Sequence, residues 1–578
     1  MKFWESRYFN WLLLVIITFP AWLILLNPYY PSMHDDQHIV RLFLLDQGIR
    51  QGYVYPRWVN WLGFGFGYPL FNFYPPLIYY VAEGFHLFGF SLIWSIKLMI
   101  ITGFILAAWG IYLFVKNSLG RWPALLAGTL YTYFFYHAIT VYIRGALAEF
   151  FSFASFAWLM VALQRVYHRH NKTSVIILAI SWSLIILTHP LIAFPSGFFI
   201  GGYVLFCLIK TKKKMIYLKT VAFGLLLGLG LSAFFWLPSM SERQYTLTDQ
   251  ILTNDLANYK LHYVYPDQLW YSPWGFGGST PGRNDGMSFQ LGKIPIMLAA
   301  LSLIGALFVF TKKRKENDLI KSYGFFCLLL FFSLFMTTNY SGFIWNRLQY
   351  LWYIQFPWRF LTFTAFFISV IAAYGFNLAG HINFIKRRQF LLKIGTAVII
   401  IITVIKYSPY FRPQQLLRVT DKERATYEEI AWRVSNTSFE FIPKGVPLKK
   451  SALGTSIFAI DKNDLPKKSF IIISGSGSVK EIRNEFEQKI YQIAAQTPLT
   501  LRINTFAFPG WKATLDRKEI NIENNNLYRL ITVKIPSGDH RLAVIYFGTR
   551  IHSVAALISI ISALFTGFFL LKLLIIRR

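Results

Sequence analysis

The sequence predicts a polytopic all-helical membrane protein with an extracytoplasmic β-rich domain near its C-terminal end, and three observations carry that prediction. The first is composition: of 578 residues, 55% are hydrophobic and only 15% charged, against about 25% charged in a soluble globular chain. The second is that the hydrophobic excess falls in runs long enough to cross a bilayer. The third is a series of short strand patterns separated by turn signals between residues 470 and 547. Together they exclude a cytoplasmic enzyme, a secreted domain and a nucleic-acid binder, the last despite a formal net charge of +31.

Apolar segments lie near 9–28, 92–115, 122–140, 145–165, 174–188, 191–209, 218–238, 291–311, 322–338, 358–379, 390–408 and 553–575, which reads as twelve spans. The stretch 70–90 carries Asn72, Pro75, Pro76, Glu83 and His86 and reads as non-crossing. Charge decides that point. Basic clusters at Lys116–Arg121, Arg165–Lys172, Lys210–Lys219, Lys312–Lys321 and Lys386–Arg388, with Lys2, Arg7, Arg577 and Arg578 at the ends, all fall on the cytoplasmic side only if 70–90 stays outside. Both termini are then cytoplasmic, in a plasma (inner) membrane. Trp11–Leu26 reads as a retained first helix because no small-residue cleavage site follows it. Cys207 and Cys327 sit inside apolar runs, so the outer segments have no disulfide framework.

This divides the chain into a transmembrane module, 1–408, with outer loops 29–91 and 239–290, an outer domain, 409–552, and a final anchoring helix, 553–578. In the outer domain, Phe470–Ile473, Tyr491–Ala495, Leu499–Phe506, Trp511–Leu515, Leu527–Val533 and His540–Phe547 read as strands of an antiparallel sandwich. Trp511 is a candidate for stacking on a sugar, with a place in the core as the plainer role.

The strongest site signal opens the first outer loop, in His34-Asp35-Asp36-Gln37-His38. Adjacent carboxylates flanked by histidines at the membrane boundary point to function. The rival is a helix cap, since Ile39–Arg50 reads as an amphipathic surface helix with the acids at its start. A cap explains one aspartate and leaves the rest of the cluster unexplained. Asp35 or Asp36 suits a general base for an acceptor hydroxyl, or a ligand for a divalent cation, Mg or Mn, against a donor phosphate. No nucleotide is available outside the cell, so the donor would be lipid-linked and its phosphate would need fixed cations, preferably arginines.

His34, His38, Arg57, Arg144, Glu149, His189, Asp267, Arg347 and Arg359 are the candidate donor-phosphate or substrate contacts. Arg144 and Glu149 are close enough in sequence to pair, and Gly145 lets a backbone approach beside them. Snorkelling to headgroups is the rival for Arg359, and a rigid Pro-flanked corner is the rival for His189. The stretch Leu62-Gly63-Phe64-Gly65-Phe66-Gly67-Tyr68-Pro69 lacks the setting and the lysine of a nucleotide loop. It reads as an interfacial aromatic belt or a groove for an isoprenoid tail. Tyr265–Gly275, with Asp267 and Gln268, has the texture of an acceptor or sugar pocket.

An acidic motif after the first span, a surface helix, many further spans and an outer C-terminal domain resemble the GT-C superfamily of polyprenyl-phosphate-dependent glycosyltransferases. His34-Asp35-Asp36, Tyr142–Glu149 and Phe508–Ala513 more closely resemble large bacterial membrane proteins of the YfhO-like kind and the group labelled 6-pyruvoyl-tetrahydropterin synthase-related. The synthase in that label is a small soluble zinc enzyme, which nothing in this chain resembles. The resemblance implies an enzyme that transfers a sugar, with inversion, from a polyprenyl-phosphate-linked donor to an envelope glycan or lipid acceptor, with Asp35 or Asp36 as the essential first-loop carboxylate. The alternatives are a non-catalytic envelope assembly or sugar-binding membrane protein and, third, a lipid or polysaccharide transporter. A transporter would predict mid-span charges and paired repeats, and the sequence has few of the first and no evident instance of the second. Membrane lipids are partners on every reading.

Overall fold

The computed structural model describes residues 7–252, 257–312, 317–380, 388–451 and 456–576. Lys2, Arg577, Arg578 and parts of the Lys312–Lys321 and Lys386–Arg388 clusters therefore lie outside the described residues. Among those described, ten helices are long and apolar enough to cross a membrane: Tyr8–Leu26, Leu92–Leu119, Leu147–His168, Pro190–Lys210, Lys214–Leu231, Lys293–Thr311, Asp318–Thr337, Pro357–Ala379, Gln389–Tyr410 and Arg550–Lys572. The expectation of twelve counts two further segments that are helical but shorter. Lys172–Thr188 has 17 residues, about 26 Å at 1.5 Å per residue. The run 122–140 is broken into Arg121–Thr132 and Phe135–Tyr142, with Phe134 extended between them. His137 Nδ1 donates to the Tyr131 carbonyl at 3.2 Å, satisfying an acceptor that the break frees. The stretch 70–90 forms Leu70–Phe73 and the 11-residue helix Leu77–Leu87, too short to cross.

Three buried tyrosines tie these helices together by donating their hydroxyls to backbone carbonyls across the bundle. Tyr133 donates to Ile17 O at 2.8 Å, Tyr142 to Ala21 O at 2.7 Å, and Tyr131 to Phe153 O at 2.8 Å. The first helix is thereby fixed to the broken pair, and the loop that follows it is delivered to one place.

The β-rich segment holds a two-stranded ribbon, Leu448–Lys450 with Ser456–Phe458, and two larger antiparallel sheets. One orders Leu530–Ile535, Leu499–Phe506 and Phe470–Ser474; the other orders Lys518–Ile520, Trp511–Leu515, Gly538–Tyr546, Gln488–Ala495 and Gly477–Asn484. Leu501, Ile503, Val533, Tyr491, Ile493, Leu542 and Val544 are buried between and beside them. The strand Gly477–Asn484 falls where the sequence suggests only a turn. It is an edge strand carrying Lys480, Glu481 and Arg483, and charge at an edge blocks further pairing while masking the strand pattern.

The loop after the first helix is built into this β-rich segment. Tyr30–Pro31 pairs antiparallel with Leu416–Leu417, and Asp421 accepts from the backbone N–H groups of Leu92 and Ile93 at 2.7 and 3.1 Å, capping a spanning helix. The predicted amphipathic surface helix is present as His38–Arg50, but Arg41 and Asp46 on its polar side are buried along with its apolar side. Helix Leu77–Leu87 and the 409–552 segment cover it. Nor do the acids lie in its first turn: Gln37 is the N-cap and that turn holds no acid.

The glycine-aromatic stretch is likewise a hairpin, Val59–Trp61 with Gly65–Tyr68, and not a lipid-facing belt. Phe64 packs on Phe458 and Trp432, and Phe66 on Phe506 and Tyr528. Gly67 has φ +70°, and a Cβ there would lie 2.6 Å from Trp58 Nε1 and 2.8 Å from Val59 O, so only glycine fits this turn.

Candidate functional site

Backbone hydrogen bonds zip the acidic motif to the turn between Tyr142 and Leu147. His34 N donates to Ile143 O and Asp35 N to Arg144 O, each at 2.9 Å. Gly145 lies beneath with φ +65°, where a Cβ would fall 2.7 Å from Met33 Cγ. Glycine there is what lets the two segments touch.

His38 fastens the same turn from the other side. Its Nε2 faces Gly145 O at 2.6 Å, an acceptor only, so Nε2 donates; Nδ1 then accepts from Tyr79 Oη at 3.0 Å. Arg41, over the Tyr74 ring at 3.7 Å, reaches Ser438 Oγ at 2.9 Å. Burial, and next the charge of Arg41, lower His38 from 6.5 to about 3, against the pull of the Gly145 carbonyl. The imidazole is therefore neutral in the fold, while the unfolded chain takes up a proton below about pH 6.5. Stability should fall as pH drops from 6.5 toward 3, by about 2 kcal/mol between pH 6.5 and 5 for this one group. Thermal unfolding of wild type and His38→Gln at the two pH values measures it: the wild type should lose more than the variant.

Behind the turn lies a buried cluster. Arg144 Nη1 donates to Glu149 Oε2 at 2.8 Å and to Tyr136 Oη at 3.0 Å, and Tyr136 Oη donates to Glu149 Oε1. Arg359 Nε reaches the same Glu149 Oε2 at 3.1 Å, and its Nη1 donates to Gln355 Oε1 at 3.0 Å. Glu149 is 0% exposed, Arg144 8% and Arg359 7%. Two guanidiniums thus share one carboxylate, leaving one positive charge in excess. Both Arg144 hydrogen bonds use Nη1, which leaves Nε and Nη2 without a described partner. His189 is buried beside the cluster, and its Nδ1 has no hydrogen-bond partner among the described residues. Phe356 stacks on Trp358 at 4.5 Å and faces both guanidiniums, at 5.6 Å from Arg144 and 5.0 Å from Arg359. Gln355 holds φ +65°, strained for a residue with a side chain.

The two acids part company. Asp35 and His34 are exposed at the mouth of the turn, with His34 Nε2 donating to Phe276 O at 2.8 Å. Asp36 turns away to Arg424, at 2.7 Å, and Arg433, at 3.7 Å, which also share Glu429 at 2.6 and 2.7 Å. Burial raises the Asp36 carboxyl above its usual value, and the two arginines offset only part of that rise. Asp36 is a clamp between the first loop and the 409–552 segment. Asp36 is thus committed to Arg424 and Arg433, while Asp35 stands open beside it. No group of three or more His, Cys, Asp or Glu residues able to hold a metal ion occurs among the described residues.

Other expected contacts lie elsewhere. Arg57 donates to Asn72 Oδ1 and Phe234 O, both at 3.0 Å, in a separate network with buried Glu242 and His552. Asp267 is exposed and pairs with Arg283 at 3.4 Å. Arg347 is exposed at the end of helix Gly342–Arg347. Trp511 is 7% exposed, edge-on to Trp58 at 5.3 Å and beside Tyr546 at 5.4 Å, so its ring is core and is not offered to a sugar. Sequence reasoning misses Tyr136, Gln355, Arg424 and Arg433. The aromatic-Pro setting of Gln355-Phe356-Pro357-Trp358-Arg359 is a signal that could have flagged Gln355.

The profile of a family described as a 6-pyruvoyl-tetrahydropterin synthase related domain, membrane protein, matches residues 71–413, more than half of the chain. The chain belongs to that family. It is a multi-span membrane protein, and the match takes in Arg144, Glu149, His189 and Arg359. No curated protein matches it significantly. Among solved structures it is similar to the archaeal oligosaccharyltransferase AglB from Archaeoglobus fulgidus, in complex with an inhibitory peptide and a dolichol-phosphate, at 12% identity and TM-score 0.40, over 73% of this chain and 56% of that one. ArnT from Cupriavidus metallidurans, bound to undecaprenyl phosphate, gives 12% identity and TM-score 0.29 over 64% and 77%. The arabinosyltransferase EmbB from Mycobacterium smegmatis gives 11% and 0.36 over 94% and 63%. The chain thus spans just over half the length of the oligosaccharyltransferase.

Proposed function

We propose that this family member is a glycosyltransferase that draws a sugar from a polyprenyl-phosphate-linked donor at the membrane boundary and passes it to an envelope glycan or lipid hydroxyl. The observation that carries the reading is the open carboxylate of Asp35 seated, through its own backbone, on a turn that holds an arginine in charge excess. Asp35 accepts the proton of the acceptor hydroxyl. The freed oxygen attacks the anomeric carbon, the bond from that carbon to the phosphate oxygen breaks, and the polyprenyl phosphate leaves with the electron pair. Arg144, with Arg359 behind it, holds the charge that the leaving phosphate gains. Attack opposite the departing phosphate inverts the anomeric centre. No step is routed through a metal.

Arg144→Lys tests the phosphate role. Lysine keeps the charge but lacks the planar fork, so polyprenyl phosphate should bind the purified variant about tenfold more weakly, a loss of about 1.4 kcal/mol. Equal affinity in wild type and variant would overturn the assignment. Sugar binding with no transfer from any lipid-linked donor would favour the non-catalytic reading.

A further inference from the structure

A concavity of about 730 Å³ lies between the glycine-aromatic hairpin and the β-rich segment, within the size range of small-molecule sites. Asp35 does not line it. Trp61 does, and its ring is 38% exposed while its hairpin neighbours Phe64 and Phe66 are buried. Its backbone holds φ +70°, which side-chain-bearing residues rarely adopt. Strain of this kind persists where the surroundings over-determine it, and it gathers at ligand sites. Here the ring is propped by Phe43, stacked at 6.2 Å, and by Tyr427 in a T-shaped contact at 6.0 Å, while the residue still lines the cavity. Gly65, at φ +84°, permits this arrangement, since a Cβ there would fall 2.3 Å from Tyr427 Oη.

The floor is polar and fixed. Lys489, 3% exposed, donates to Asn60 Oδ1 at 3.1 Å, Asn484 Oδ1 at 2.9 Å and Glu485 O at 3.4 Å. At the rim, Asn504 Nδ2 donates to Lys468 O at 2.8 Å, anchoring the bend before Phe470–Ser474, whose Lys467 and Lys468 side chains are exposed. Glu481, held by Ser469 Oγ, is the acid among the lining residues, against the three lysines.

We infer that this cavity is a binding site for an acidic saccharide, a chain of sugar rings bearing carboxylates. The exposed indole suits the C–H face of a pyranose, the side-chain amides, with Asn60 and Asn484 fixed by the buried Lys489 ammonium, suit ring hydroxyls, and the rim lysines suit a carboxylate. A neutral glycan would leave the rim lysines unused.

Calorimetric titration of the full-length protein in detergent with trigalacturonic acid, maltotriose and triglutamate tests this. Two variants spare the fold: Trp61→Asn removes the ring with a residue that tolerates positive φ, and the paired Lys467→Gln and Lys468→Gln changes alter only exposed charges. Trigalacturonic acid should bind at millimolar concentration, about tenfold more weakly to Trp61→Asn, and lose its advantage over maltotriose in the double lysine variant. Absence of binding, equal binding of maltotriose or triglutamate to the wild type, or unchanged affinity in both variants would overturn the inference.

Discussion

Asp35→Asn should slow transfer from polyprenyl-phosphate sugars by about 10²–10⁴-fold, the usual contribution of a positioned general base, while leaving thermal stability near that of the wild type. The side chain is exposed, its backbone N–H donates to Arg144 O whatever the side chain carries, and asparagine keeps the shape while losing the proton-accepting charge. Asp36→Asn should do the reverse. It removes the carboxylate that Arg424 and Arg433 share with the first loop, so stability should drop by about 1–3 kcal/mol while the chemistry at Asp35 persists in the protein that remains folded. Transfer rates in membranes, corrected for folded protein, separate the two. Undiminished transfer in Asp35→Asn contradicts the base assignment, and equal loss in both variants contradicts the division of labour between them.

Glu149→Gln should be the most destabilising single change at the site. Glu149 is fully buried and neutralises guanidiniums at 2.8 and 3.1 Å. Glutamine keeps the volume and can still bond Tyr136, but it leaves two buried cations facing each other. Breaking a buried ion pair from one side costs about 3–5 kcal/mol, and the phenotype should be a large fall in unfolding temperature in detergent. Glu149→Gln combined with Arg359→Met returns the cluster to one net positive charge and ends the repulsion between the two guanidiniums, so it should recover part of the loss while Arg144 stays without its carboxylate. A single variant as stable as the wild type would show that water reaches the cluster and that its charges are screened.

What the sequence makes legible follows the physics of each signal. Bilayer-length runs announce themselves because lipid leaves the backbone no other partner, and the strands at 488–495, 499–506 and 511–515 alternate strongly enough to read. Arg144 and Glu149 are five residues apart across a glycine, so their pairing can be anticipated. The partners of Asp36 cannot. Arg424 and Arg433 lie in a polar tract with no apolar period, and only the pairing of Tyr30–Pro31 with Leu416–Leu417 brings them to the first loop. The same long-range packing buries Arg41 and Asp46 on a helix whose own sequence reads as half-solvated, and folds the Gly63–Gly67 stretch into the β-rich segment rather than toward lipid. Local pattern reports which face of an element is apolar; it does not report that a distant segment covers the other face.

Photocrosslinking with a diazirine-bearing polyprenyl phosphate, followed by peptide mapping, tests most directly whether the acidic turn and the arginine cluster form one donor site. Label concentrated on residues 33–38, 143–149 and 355–359, and competed away by unlabelled polyprenyl phosphate, is the predicted result. Label confined to other segments, with these three untouched, would contradict it.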